Sequence, residues 1–302
     1  MTTTVAAELV DIVVVGNTLG EGVVWDPVSR RVWWTDIQER RLFQFDPQTR
    51  ALERFELPER LGSFGFVEGS DAIVAAFESG FALYHPRDRT VDWLARPDHG
   101  AGKIRFNDGR VDREGRFWAG SMMEGRGEPQ GKLYCLKGRT LEVHLTGIAI
   151  SNSICFSPDG KHLYFADTPH RTILRYDIDA ESAAISNRRV FAQTPPGAFP
   201  DGSNVDAEGH VWNAHWGAGR VVRYAPDGSV SGTIDVPATQ PTCIAFGGDH
   251  LDLLFVSSAR ENLSQDRLAQ ESNAGDLFVY KLSLTGLADR RFAADPGRQS
   301  PV

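Results

Sequence analysis

One short unit recurs along this chain: a strand, a tight turn, a second strand, a brief gap and a third strand. The clearest copy runs 153–156, turn Ser157-Pro-Asp-Gly160, 162–166, then 172–177. Another runs 203–205, turn Asp206-Ala-Glu-Gly209, 211–214, then 220–224. The third unit has strands at 110–111, 116–120 and 131–136 around the turn Asp112-Arg-Glu-Gly115. The first has strands at 23–25, 31–36 and 41–46 around Asp26-Pro-Val-Ser-Arg30. Weaker copies fall at 63–67, 72–76 and 81–85, and at 242–246, 253–257 and 276–282. Gly, Pro and Asp supply the turns because they tolerate the backbone angles required. First strands begin about every 40–50 residues, the period of propeller blades.

Such a unit cannot bury both faces alone, but units stacked radially cover one another. Helical periodicity is scarce. The pattern predicts an all-β, six-bladed β-propeller with four-stranded antiparallel blades. It forms one domain over 1–302, with blades from about 10 to about 285 and a tail at 286–302. The run 11–15, upstream of the first unit, is expected to close the ring as the outermost strand of the last blade. Trp33, Trp34, Phe43, Trp118, Tyr134, Phe165, Tyr176, Trp212 and Tyr224 alternate with polar residues and are expected to pack between blades.

A net charge of −8 argues against nucleic acid or an anionic membrane as partner. Cys135, Cys155 and Cys243 are widely spaced and form no CxxC motif, which fits core side chains in a reducing compartment. The segment 1–9 has no basic region. The apolar run 10–15 is interrupted by Asp11 and is too short for a signal peptide or membrane helix. A soluble cytoplasmic protein is expected; its oligomeric state is not encoded legibly.

Glu21, Asn107, Asn152 and Asp201 share one structural address. Each precedes the first strand of its unit, at the end opposite the hairpin turn. Asp201-Gly202 looks like a turn, but its unit already turns at Asp206 to Gly209, so Asp201 belongs to the other end. Each residue alone could simply bond neighbouring backbone. Together they would bring two carboxylates and two amides to one mouth of a central channel. The equivalent positions of the second and sixth units, Gly62-Ser63 and Gln240-Pro241, carry no acid, which leaves an open side. Such oxygen donors suit one divalent cation: calcium, magnesium or manganese, with zinc and iron(II) also possible.

Arg105 lies two residues from Asn107 in an extended segment and shares its face. It is either a clamp for a substrate oxygen or a salt-bridge partner. Glu124 and Arg126 fall in the Gly-rich segment 124–131, read as a lid over the mouth or a solvated loop. His215 reaches the mouth, lies on the surface or packs. No GxSxG, HExxH, P-loop or GxGxxG motif is present.

Leu-Gly-Glu-Gly-Val-Val-Trp (19–25), Arg-Phe-Asn-Asp-Gly-Arg-Val-Asp (105–112), Ile-Ser-Asn-Ser (150–153), Ile-Ser-Asn-Arg-Arg (185–189), Pro-Asp-Gly-Ser-Asn-Val-Asp-Ala-Glu-Gly-His-Val-Trp (200–212) and Phe-Gly-Gly (246–248) resemble the regucalcin/gluconolactonase family, in order and over nearly the whole chain. The resemblance implies a six-bladed propeller with one divalent metal at the channel mouth. It also implies hydrolysis of sugar lactones to aldonic acids. By motif it puts metal ligands on Glu21, Asn152 and Asp201, and substrate contacts on Asn107 and Arg105. A further substrate-contacting glutamate of the family falls near Glu124. Where the family often has Ser-Asn-Gly, this chain has Ser-Asn-Ser (151–153).

The expected activity is opening of a five- or six-carbon sugar lactone. The cation would polarise the ester carbonyl. Either Asp201, as general base, or the cation itself would activate water. Rival readings are a calcium-binding regulatory propeller, a protein-interaction scaffold, and an ester or phosphotriester hydrolase on the same frame.

Overall fold

The computed structural model describes residues 5–98, 103–125 and 129–294. Among them, six four-stranded antiparallel sheets form the blades of a propeller. The innermost strands are Gly20–Asp26, Leu61–Phe66, Ile104–Val111, Ser151–Phe156, Phe199–Val205 and Pro241–Gly247, for blades 1 to 6 in chain order. These strands are almost wholly buried because each is flanked by two neighbouring blades.

The ring closes as expected, by an N-terminal strand in the last blade, but earlier in the chain than 11–15. Ala7–Val13 pairs with Leu277–Leu282, from Ala7 opposite Leu282 to Val13 opposite Leu277. The strand stops there because the Asp276 carboxylate accepts the amides of Val15 and Gly16, at 2.9 and 3.0 Å, and turns the chain off the sheet. The outermost strands of the other blades left little trace in the apolar pattern. Leu52–Glu56, Thr90–Ala95, Thr140–Ile148, Ile185–Gln193 and Val230–Asp235 are half-exposed and mix polar with apolar residues, as exposed sheet edges do.

The aromatic residues named above are all buried. Side chains of adjacent blades form the core clusters, as where Trp25 of blade 1 stacks on Phe255 of blade 6 at 5.7 Å. Each large buried apolar side chain contributes about 1.5–3 kcal/mol. Two indole nitrogens are held too: Trp118 Nε1 donates to Asp112 Oδ2 at 2.8 Å, and Trp212 Nε1 to Asp206 Oδ2 at 2.9 Å. The three cysteines are buried and unpaired.

Beyond the last strand the chain does not leave the body at once. Residues 285–293 cross the end of the propeller that carries the first hairpin turns. The Ala207 amide donates to Thr285 O, the Glu68 amide to Phe292 O, and the Ala293 amide to Gly115 O. This strap touches blades 5, 2 and 3 in turn. Asp289 Oδ2 meets Arg110 Nη1 at 2.6 Å, both nearly buried. The base of the channel is therefore bolted by backbone bonds and an ion pair.

Candidate functional site

Glu21, Asn107, Asn152 and Asp201 each stand five residues before the residue that opens their hairpin turn: Asp26, Asp112, Ser157 and Asp206. That equal spacing gives them one height in the ring. They lie inside the innermost strands, however, not on loops ahead of them. Pairing with the second strand continues on both sides of each residue, interrupted by a β-bulge between Glu21 and Val24, Phe106 and Gly109, Asn152 and Cys155, and Pro200 and Ser203. A bulge adds an unpaired residue, bends the strand and re-aims its side chains. Gly22 and Ser153 follow two of the four residues and take the left-handed conformation, φ +59° and +61°. Ser153 tolerates it while its Oγ donates to Asp201 O at 2.8 Å and accepts from Asn213 Nδ2 at 3.0 Å. Gly202 is required by close packing: an added Cβ would lie 2.8 Å from Cys243 Cα.

All four side chains, with Arg105, line one cavity of about 380 Å³ at the mouth of the channel. Its wall also includes Thr168, Phe199, Trp216, Glu261 and Asn262. Asn152 is locked by its amide: Nδ2 donates to Thr168 Oγ1 at 2.8 Å, and Thr168 Oγ1 donates to Pro200 O at 3.0 Å. Its Oδ1 accepts from Asn107 Nδ2 at 3.0 Å. Asn107 Nδ2 also reaches Ser151 O, and its Oδ1 accepts from Arg105 Nη1 at 2.6 Å.

The Glu21 and Asp201 carboxylates touch one another, both buried. Asp201 Oδ1 is buried with no hydrogen-bond partner. Burial, the mutual repulsion of the pair and nearby Asp108 hold the Asp201 carboxyl well above the usual range. Burial and then Asp108 push Glu21 up to about 8. Asp108 is itself raised to about 6 by burial, although it accepts the amides of Gly109 and Ile154 at 2.9 and 2.7 Å. Two touching buried carboxyls beside a third, with no basic group bonded to any of them among the described residues, resist ionisation unless a cation joins them.

Glu124 stands behind the wall. Its Oε1 accepts from Arg105 Nε at 2.9 Å, and both its oxygens accept from Arg60 Nη1 at 2.8 and 2.9 Å. Arg60 in turn pairs with Glu78. Glu124 thus fixes the guanidinium that Arg105 presents beside Asn107. Arg126 lies outside the described residues. His215 is not on the cavity wall: it is buried, bonds Tyr224 Oη at 3.0 Å, and burial lowers it to about 4. The 185–189 motif lies on the outermost strand of blade 4, where Asn187 Nδ2 bonds Asp177 at 2.8 Å, and contributes nothing to the cavity.

Sequence reasoning missed Asp108, Thr168, Trp216, Glu261 and Asn262. Asp108 was visible inside the Asn-Asp-Gly run. The others lie at strand ends and in a loop, without any repeated address. A second acidic group, Asp206, Glu208 and His210, gathers at the opposite end of blade 5. Arg223 already neutralises it, with Nε on Asp206 Oδ2 at 2.8 Å and Nη2 on Glu208 Oε2 at 2.6 Å.

The mouth fits a hard divalent cation by the chemistry of its donors. A carboxylate oxygen is left without a partner, a second carboxylate repels it, and an amide oxygen is held in fixed orientation. The fold and the mouth together define a six-bladed propeller with an oxygen-lined pocket on its axis. The family has a name: residues 19–260 match the profile of the SMP-30/gluconolactonase/LRE-like region. The chain belongs to this family. It is 37% identical over 280 residues to 6-deoxy-6-sulfogluconolactonase of Pseudomonas putida, covering 92% of this chain and 96% of the relative. It is 38% identical over 285 residues to L-arabinolactonase of Azospirillum brasilense, covering 93% and 94%. Among solved structures it superposes on a calcium-binding protein, regucalcin, of Agrobacterium tumefaciens strain C58. The TM-score is 0.90 at 32% identity, covering 96% and 98% of the two chains.

Proposed function

We propose that this protein is a divalent-cation-dependent lactonase that opens a five- or six-carbon sugar lactone to the aldonic acid. The observation that carries the reading is the buried Glu21–Asp201 pair, with Asp201 Oδ1 unpartnered, in one cavity with the Arg105–Asn107 edge. The sulfogluconolactonase and arabinolactonase relatives support the substrate class. A cavity of about 380 Å³ suits a single sugar ring.

Glu21, Asn152 and Asp201 would hold the cation. When bound, it supplies Lewis-acid polarisation of the ester carbonyl and offsets the buried negative charge. The remaining chemistry belongs to the chain. Arg105, fixed by Glu124, directs donors at a ring or carbonyl oxygen, while the Asn107 amide keeps that guanidinium in register. Phe199 and Trp216 limit water at the reacting face. Asp201 accepts the proton of the attacking water as the new carbon–oxygen bond forms. The ester carbon–oxygen bond then breaks and the ring oxygen takes that proton back from Asp201 to leave as a hydroxyl, so each turnover yields one carboxylic acid and restores Asp201.

Proton release from a panel of pentono- and hexonolactones, measured with and without a chelator, tests the reading. Turnover that stops with chelator and returns with added calcium, magnesium, manganese or zinc is expected. Full activity in chelator removes the cation. Binding of calcium without hydrolysis of any lactone would leave the regulatory alternative.

A further inference from the structure

The cavity wall is not evenly charged. Its only described cation is Arg105, and that guanidinium is already bonded to Glu124 and to Asn107 Oδ1. Arg60 and Glu78 extend the same set, so two arginines balance two glutamates there. Glu21 and Asp201 are matched by a bound dication in the lactonase reading, on which this inference rests. Glu261 is left over. It stands on the cavity wall with Leu19 and Asn262, and no arginine or lysine pairs with it among the described residues.

Glu261 is also held in place. Gln38 Nε2 donates to its Oε1 at 2.6 Å. Its backbone amide donates to Thr18 O at 2.9 Å. Buried Gln240 grips the loop from below, its Nε2 reaching Ala259 O and Glu261 O, both at 3.1 Å. The other carboxylate oxygen has no partner among the described residues and is free to accept. A pinned carboxylate with a free oxygen accepts hydrogen bonds from hydroxyl groups, and it repels an anion in the same place.

We propose that Glu261 is the charge filter of this pocket. It binds lactones whose distal substituent is a neutral hydroxyl and rejects those that carry a sulfonate, phosphate or carboxylate there. Such selection differs from opening the ring: it acts on the part of the sugar remote from the ester, and on binding before chemistry.

The test compares a neutral hexonolactone with its 6-sulfonate on the cation-loaded protein, for the wild type, Glu261→Gln and Glu261→Lys. The wild type is expected to favour the neutral lactone in kcat/KM. Glu261→Gln removes one charge at constant shape and should shift the ratio toward the sulfonate by about tenfold, as expected for one unit charge several ångströms away in a partly shielded site. The change should fall on KM rather than kcat, and Glu261→Lys should carry it further. Gln38→Leu, which frees the carboxylate to swing, should shift the ratio in the same direction by less. Calorimetric binding of a non-hydrolysable lactam, with and without the 6-sulfonate, reads the same selectivity without turnover. A ratio that Glu261→Gln and Glu261→Lys leave unchanged overturns the filter even if neutral lactones are hydrolysed. A wild-type preference for the sulfonate overturns it equally. Absent hydrolysis with a Glu261-dependent lactam preference retains the filter and sinks the lactonase reading instead.

Discussion

The two ends of the axial channel treat acidic side chains in opposite ways. At the base, Asp289 pairs with Arg110, Asp112 with Arg116, Asp206 with Arg223 and Asp26 with Arg291. At the mouth, Glu21 and Asp201 are as deeply buried, yet neither bonds an arginine or lysine among the described residues. Burying a carboxylate is costly unless something compensates it. At the base the chain supplies the compensation itself. At the mouth it does not, and the acids stay protonated or take a cation from solution. In the proposed lactonase reading, this contrast separates structural acids from working ones better than burial or acidity alone.

The same kind of substitution should therefore act in opposite senses at the two ends. Asp201→Asn is expected to lower lactone turnover by about a thousandfold, through loss of a cation donor and of the proton acceptor. The same change removes the repulsion with Glu21, so in chelator the variant should melt higher than the wild type, by about 2–4 °C for each kcal/mol relieved. Calorimetry checks the sign, and a lower melting temperature would break the comparison. Asp289→Ala strands Arg110 as an unpaired buried charge and should cost about 3–5 kcal/mol in denaturant unfolding. Activity per folded molecule should survive it.

A smaller effect is expected in the pH dependence of the cation-free protein. Glu21 has a folded pKa near 8 against an ordinary value of 4.5. Between those values the folded state binds more protons than the unfolded state, so stability falls as pH rises across that window. Melting curves from pH 4.5 to 8 in chelator should show the decline, and a saturating divalent cation should flatten it. The smallest effect belongs to Ser153→Gly. It relieves the left-handed strain, about 1–2 kcal/mol, but loses the Oγ bonds to Asp201 O and Asn213, about 1 kcal/mol. The expected net change in unfolding free energy is within about 1 kcal/mol.

The ring itself was legible because turn chemistry and apolar alternation repeat, and repetition averages out local ambiguity. Asn107, Asn152 and Glu21 could be placed at one mouth from their distance to a hairpin turn. The bulges could not, because a bulge is a defect in pairing between two strands and leaves no signature in either alone. Asp108 escaped because it sits beside a residue that already had a role. Glu261 escaped because it lies in the segment 259–276 between the second and third strands of blade 6, outside the repeated strand pattern. The Arg110–Asp289 pair is 179 residues apart, and nothing in the strap's composition announces that it crosses the base.

The strap also sets a direction. Since Ala293 is tied to Gly115 on the hairpin face, opposite the cavity, a support coupled to that face would meet the base first. Molecules attached that way would present their pockets outward to flowing substrate.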